Sequence, residues 1–208
     1  TDNVALSGET IDYGPCAFMD RYHPETVFSS IDQRGRYAYG NQPVITQWNL
    51  ARFAETLIPL IDDDADRAVE TAEALIKSHT ERYAQRWLVM MRGKLGLFGE
   101  EDGDAALAAD LLDWMARHDA DHTNTFRDLI GGATPPGEPF QNDEFGDWHR
   151  RWQARLGRNG KAEEDAWALM GRHNPAVIPR NHQVEAALSA AVRDGNLAPV
   201  KALLAALD

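Results

Sequence analysis

Cysteine is almost missing from this chain: among 208 residues only Cys16 carries a thiol. A single thiol closes no internal disulfide and builds no cysteine-based zinc cluster. Long apolar runs are missing too. None approaches the ~20 residues that a membrane-crossing helix needs, and no segment has the make-up of a signal peptide. Positive charge is in short supply, with 33 acidic side chains against 21 basic ones and a formal net charge of −12. Such a surface repels phosphate backbones and anionic lipid, and the longest basic run is Arg150-Arg151. These shortages argue against nucleic-acid and membrane partners and point to the cytoplasm. An initiator Met is also absent, so the chain is read as processed or cut from something longer.

What is present falls into two regions, 1–43 and 44–208. The first is rich in Gly8, Gly14, Gly35, Gly40, Pro15, Pro24 and Pro43, with short β-prone stretches at Thr10-Ile11-Asp12-Tyr13 and Arg36-Tyr37-Ala38-Tyr39. Glycine and proline punctuation around short β-prone strings predicts a loop-rich element with a hairpin. From Val44 the period changes. Leu50, Phe53, Ala54, Leu57, Ile58 and Ile61 recur at three- and four-residue steps, which predicts one buried helix face.

Asp62-Asp63-Asp64 supplies capping oxygens for a long helix from about Ala65 to Lys94, with an apolar stripe of Val69, Ala72, Leu75 or Ile76, His79, Tyr83, Trp87, Met90 and Met91. Further helices are predicted from Asp104 (burying Leu107, Leu111, Leu112 and Met115), around Phe126, over Asp143–Leu156 and Lys161–Gly171, and near His182–Arg193 and Pro199–Leu207. The irregular spacing excludes a solenoid. The expected fold class is mainly α: an irregular array of about seven helices behind a short hairpin-and-loop front.

The candidate chemistry sits at that front. Magnesium takes hard oxygen ligands, commonly one or two carboxylates or amides together with substrate phosphates. Asn3 offers an amide oxygen and Asp12 a carboxylate; a hairpin pairing 3–6 with 9–12 would converge them. Asp2 would then lie close enough to accept a proton from an attacking hydroxyl. The same three residues also suit plain turns that bond their own backbone.

Several strings in order carry a resemblance: Thr1-Asp2-Asn3, Ile11-Asp12-Tyr13-Gly14-Pro15-Cys16-Ala17-Phe18-Met19-Asp20, Gly35-Arg36-Tyr37-Ala38-Tyr39, Asn41-Gln42-Pro43, Trp48-Asn49-Leu50, Thr123-Asn124-Thr125-Phe126-Arg127, and Asn174-Pro175 through Ile178-Pro179-Arg180-Asn181-His182. Together they make the chain similar to the selenoprotein O family, also called YdiU or UPF0061. The resemblance implies the C-terminal part of a protein-kinase-like fold. The implied activity is a protein adenylyltransferase, moving AMP from ATP onto protein Ser, Thr or Tyr hydroxyls.

Residue by residue, the resemblance makes Asp2 the proton acceptor and Asn3 and Asp12 the ligands of Mg2+, or of Mn2+, with Asp12 at the nucleotide. Ordinary kinases separate their catalytic Asp and metal-binding Asn by four residues; here they adjoin. The Gly-rich loop, the phosphate-binding Lys and its Glu are implied upstream of Thr1, in an N-terminal kinase-like lobe that is a partner of this piece. The isolated piece is therefore expected to be inactive. His23 departs from the family's Tyr-Asp-Pro, and the family's C-terminal Cys or selenocysteine tail has no counterpart before Asp208. The rival readings are an ordinary phosphotransferase and a catalytically dead helical scaffold.

Other groups have weaker chemistry. His118 and His122 stand at the i,i+4 spacing that binds zinc, but the same string ends one helix and caps the next through Asp121. His79 suits a core position. The tryptophans suit packing, with Trp148 and Trp152 beside Arg150-Arg151 the best surface-binding exception. Cys16 serves as a redox handle or, more simply, as a small hydrophobe.

Overall fold

The computed structural model describes residues 5, 7–9 and 17–207. Eight α-helices appear among them: α1 (Gln42–Ile61), α2 (Ala65–Leu95), α3 (Asp104–Arg117), α4 (His122–Asp128), α5 (Asp143–Leu156), α6 (Glu163–His173), α7 (Asn181–Asp194) and α8 (Ala198–Leu207). One helix more than the expected seven is present, and the described residues form no named strand. Their one β feature is an isolated antiparallel bridge between Arg21 and Asp121. The chain divides into two compact units, Thr1–Cys16 with Pro24–Val89, and Ala17–His23 with Met90–Asp208.

In the first unit, the expected β-prone stretch Arg36–Tyr39 is a turn leading into a 3-10 helix at Tyr39–Asn41. The reason is local. Asp32 takes the backbone N–H of Arg36 at 2.8 Å and of Tyr37 at 2.7 Å on its two carboxylate oxygens, so those amides are withdrawn from any ladder. The aspartate caps expected before α2 are present: Asp64 Oδ1 accepts from the N–H of Asp66 and Arg67, satisfying donors that a helix start leaves open.

The long stripe predicted for α2 is only partly buried. Of its members Ala72 and Met91 are inside, whereas Val69, Leu75, Tyr83 and Met90 are exposed; Ala68, outside the expected stripe, is buried as well. Gln47 of α1 reaches the Ile76 carbonyl at 3.2 Å, so α1 lies along one side of α2 and leaves the rest of the stripe open. His79 stacks on Tyr83 at 6.4 Å and is half-buried.

The second unit has the substantial core. α3 packs on α5, burying Leu107, Leu111, Trp114 and Met115 from the first and Phe145, Trp148 and Trp152 from the second. Trp148 and Trp152 are therefore packing residues, not a surface platform. Their rings stack at 5.8 Å, and each indole N–H donates to a helix carbonyl, Leu107 at 2.8 Å and Leu95 at 2.9 Å. A buried tryptophan usually finds such a partner for its N–H, although the equally buried Trp114 indole N–H has none among the described residues.

Beneath them Asp104, 1% exposed, accepts from Arg92 Nε and Arg155 Nε, each at 2.7 Å, and from the Glu101 N–H at 3.0 Å. Burial pushes its carboxyl upward. The bonds from Arg155, Glu101 and Arg92 outweigh that and hold it below the usual carboxylate range. α7 and α8 form a helical hairpin, turned by Gly195 in the left-handed conformation (φ 63°).

Candidate functional site

Asp2, Asn3, Asp12 and Cys16 all lie outside the described residues. The structure does show how the segment immediately after them, Ala17–His23, is held. Its backbone is read by side chains and loops from far along the sequence. Asn181, the first residue of α7, donates its amide to the Phe18 carbonyl at 3.0 Å and accepts the Phe18 N–H at 3.2 Å. The Tyr22 N–H donates to the Ala120 carbonyl at 2.9 Å, and the His122 N–H donates to the Asp20 carbonyl at 2.7 Å. A two-residue ladder thus pins 20–22 to the α3–α4 turn.

Arg180 is the centre of this arrangement. Its Nη1 donates to Asp20 at 2.6 Å and to Asp121 at 2.5 Å, while its Nη2 reaches Asp121 at 3.2 Å and Asn124 at 3.3 Å. The hydrogen bond it donates to Asp121, then that to Asp20, pushes the guanidinium pKa still higher, so it is a fixed cation. Asp121 is also the N-cap of α4, accepting the Asn124 N–H at 2.8 Å. One carboxylate therefore ends a helix dipole and pairs an arginine at once. Nearby, Asn174, 1% exposed, donates to the Lys94 carbonyl at 2.8 Å, and its own carbonyl accepts from Arg127 at 3.3 Å.

Three of the strings quoted above, ending at Asp20, spanning Thr123–Arg127 and spanning Asn174–His182, meet at this clamp. Sequence reasoning noted the strings but missed Arg180 as their hub. Unmatched Asp and Arg residues inside the strings were the available signal, and nothing in the sequence said which would pair.

The histidine pair is not brought to a common point. His118 closes α3, stacks on Trp114 at 5.0 Å and pairs its Nε2 with Glu144 at 3.2 Å. His122 stacks on Tyr22 at 5.8 Å and meets the edge of Phe126 at 5.3 Å. Burial, with the Lys94 charge adding to it, lowers the His122 pKa to about 4. Asp121 does cap the following helix, and among the described residues no three His, Cys, Asp or Glu side chains gather as a metal cluster. Lys94 itself lies 4.4 Å over the Phe126 ring, and burial lowers its pKa to about 8.

A family model described as protein adenylyltransferase SelO matches residues 1–208. The chain belongs to this family. Among its relatives, a protein nucleotidyltransferase YdiU of Alcanivorax borkumensis is 60% identical over 208 residues, covering 100% of this chain and 43% of the relative. Proteins of the same name from Geobacillus kaustophilus and Halalkalibacterium halodurans are 55% and 57% identical, with 43% and 42% of their length covered. This SelO-family chain thus spans about two-fifths of the length of the curated relatives it matches. Within it, the Arg180 clamp holds residues 17–23, which follow the Asp12-Tyr13-Gly14 string in the sequence. Among the described residues no helix is long and apolar enough to cross a membrane.

Proposed function

We propose that this chain is the metal-turn and helical portion of a protein adenylyltransferase that moves AMP from ATP onto Ser, Thr or Tyr hydroxyls of protein substrates. The observation that carries the reading is the match of all 208 residues to a family described by that activity, with the Asp2-Asn3 pair and the Asp12-Tyr13-Gly14 turn inside the matched span. Residues 1–43 are the end of the catalytic loop, the metal turn and the loop-rich segment of a kinase-like C-lobe, with the proposed hairpin at their start. Residues 44–208 are the helical C-terminal region. The reading places the protein in the cytoplasm.

The donor set suits a hard cation. Asn3 and Asp12 provide an amide and a carboxylate oxygen, the ligands magnesium prefers over nitrogen or sulfur, and Mn2+ accepts the same set. When bound, the metal neutralises phosphate charge. Asp2 takes the proton of the substrate hydroxyl as its oxygen bonds the α-phosphorus; the bridging α–β bond breaks, and pyrophosphate leaves with the electron pair. Support for a fixed geometry comes from the clamp at Asp20 and Arg180, eight residues beyond Asp12, since positioning supplies much of the rate in phosphoryl-type transfer.

The test uses the longer parent protein with ATP labelled at the α or the γ position. Protein label from the α position alone is expected. Label from the γ position alone identifies an ordinary kinase and overturns the reading. Asp12→Ala is expected to abolish metal-dependent nucleotide binding; unchanged binding would favour a scaffold. The 208-residue chain alone is expected to transfer nothing, because the remaining kinase-like lobe is its required partner.

A further inference from the structure

The first unit carries an exposed group that the proposed chemistry does not use. On α1, Val44, Trp48 and Arg52 follow at four-residue steps and share one face; Val44 and Trp48 are 68% and 43% exposed. The Arg36 guanidinium lies 4.6 Å over the Trp48 ring and 5.7 Å from that of Tyr37, and Arg52 stands 5.6 Å from Trp48. Tryptophan, tyrosine and arginine together are the composition of a protein-binding hot spot.

The loop that presents Arg36 is already fixed. Gly35 adopts φ 63°, the Asn41 amide donates to the Gly35 carbonyl at 2.8 Å, and the N–H groups of Tyr39 and Gly40 donate to the Thr26 and Pro24 carbonyls at 3.0 and 2.7 Å. A preset loop lowers the ordering cost of binding. The charges are also unequal. Arg52 is paired with Glu55 at 2.5 Å, and the Asp32 carboxylate accepts the backbone N–H groups of Arg36 and Tyr37. Arg36 is left as a cation stacked on an aromatic face, with no carboxylate in salt-bridge range among the described residues.

We propose that Arg36, Trp48 and Tyr37 form a docking point for an acidic segment of the protein substrate, one Asp or Glu of that segment pairing with Arg36 and its neighbour packing on Trp48 and Val44. The proposal rests on the adenylyltransferase reading for calling the partner a substrate, and its charge complementarity stands without it. A nucleic acid is the poorer fit, because Arg36 already covers the Trp48 face on which a base would stack.

The test is fluorescence anisotropy of the 208-residue chain with a labelled Ser-Glu repeat peptide, a matched Ser-Gln peptide and an oligothymidylate. The Ser-Glu peptide is expected to bind about five- to tenfold more tightly than the Ser-Gln peptide, with the preference weakening as salt rises. Arg36→Gln is expected to erase that preference, and Arg36→Lys to keep part of it, because the charge stays while the planar stack is lost. Arg193→Gln, on the exposed surface of α7, is expected to change nothing. Equal binding of the two peptides, an equal loss in Arg193→Gln, or tighter binding of the oligothymidylate would each overturn the proposal. No ATP enters the measurement, so a failed adenylylation assay and a failed docking site are told apart.

Discussion

Arg180 and Asp20 are 160 positions apart in the sequence, and their side chains meet at 2.6 Å. The same guanidinium pairs with Asp121, so a single cation ties the segment after the Asp12-Tyr13-Gly14 string to the start of α4 from the foot of α7. The half-buried setting makes this more than a surface ion pair, whose worth is typically below about 1 kcal/mol.

Arg180→Ala should therefore destabilise the chain by about 1–3 kcal/mol, since two carboxylates lose a shared partner. Hydrogen exchange distinguishes local from global loss: the Tyr22 and His122 amides, which close the ladder over 20–22, should lose protection first. Arg180→Lys should recover only part of it, because a single ammonium cannot span the fork.

Asp104 is expected to be the least replaceable polar residue of the second unit. Asp104→Ala removes the buried carboxylate shared by Arg92 and Arg155, whose side chains are 11% and 4% exposed, and leaves them only Glu100 at 3.2 Å and Glu101 at 3.4 Å as acidic partners. Removing one partner from a buried charge cluster typically costs about 3–5 kcal/mol. Urea denaturation should show this as a lower midpoint with unchanged slope. Because the folded carboxyl titrates below its unfolded range, its stabilisation is full above that range and is lost as pH falls through the folded value.

His122 predicts a second, separable pH dependence. Its folded pKa of about 4 lies below the ordinary 6.5, so the unfolded chain binds the extra proton in between. Stability should be unaffected above pH 6.5 and should fall as pH drops from there towards 4, by at most about 3 kcal/mol. His122→Phe should remove this component while leaving that of Asp104. Lys94→Met should raise stability at neutral pH, because it deletes an ammonium that burial disfavours.

Gly96→Ala tests the end of α2. Gly96 sits at φ 71°, and an added Cβ would lie 3.0 Å from Met170 Cγ and 3.1 Å from the Ala166 carbonyl. A left-handed conformation and a backbone oxygen both oppose the methyl group, so a loss of roughly 1–3 kcal/mol is expected in thermal melts. Gly99→Ala, which has the same sign of φ but open space around it, should cost less.

Much of the helical framework was legible beforehand because its signals are local. α5 spans Asp143–Leu156 as its period predicts, and α2 starts at Ala65 because Asp62 and Asp64 offer their oxygens to nearby amides. The β-prone string Arg36–Tyr39 misled for the opposite reason: Asp32, four residues away, outcompeted a ladder for its amides. The Arg150-Arg151 context likewise suggested a surface role for Trp148 and Trp152. Helical phase alone did not reveal that α3 and the end of α2 would cover them and take their N–H groups.

By itself, then, the sequence determined most of the helical segments and the family strings, and it marked Asp2, Asn3 and Asp12 as candidates, because short-range capping and residue order need no distant partner. Only the tertiary structure decided that Arg180 joins Asp20 to Asp121, that Asp104 pairs with both Arg92 and Arg155, and that Arg36 stacks on Trp48 with no carboxylate partner among the described residues. Pairings across tens of residues depend on which surfaces the packed helices bring within hydrogen-bond range, and composition carries no record of that distance.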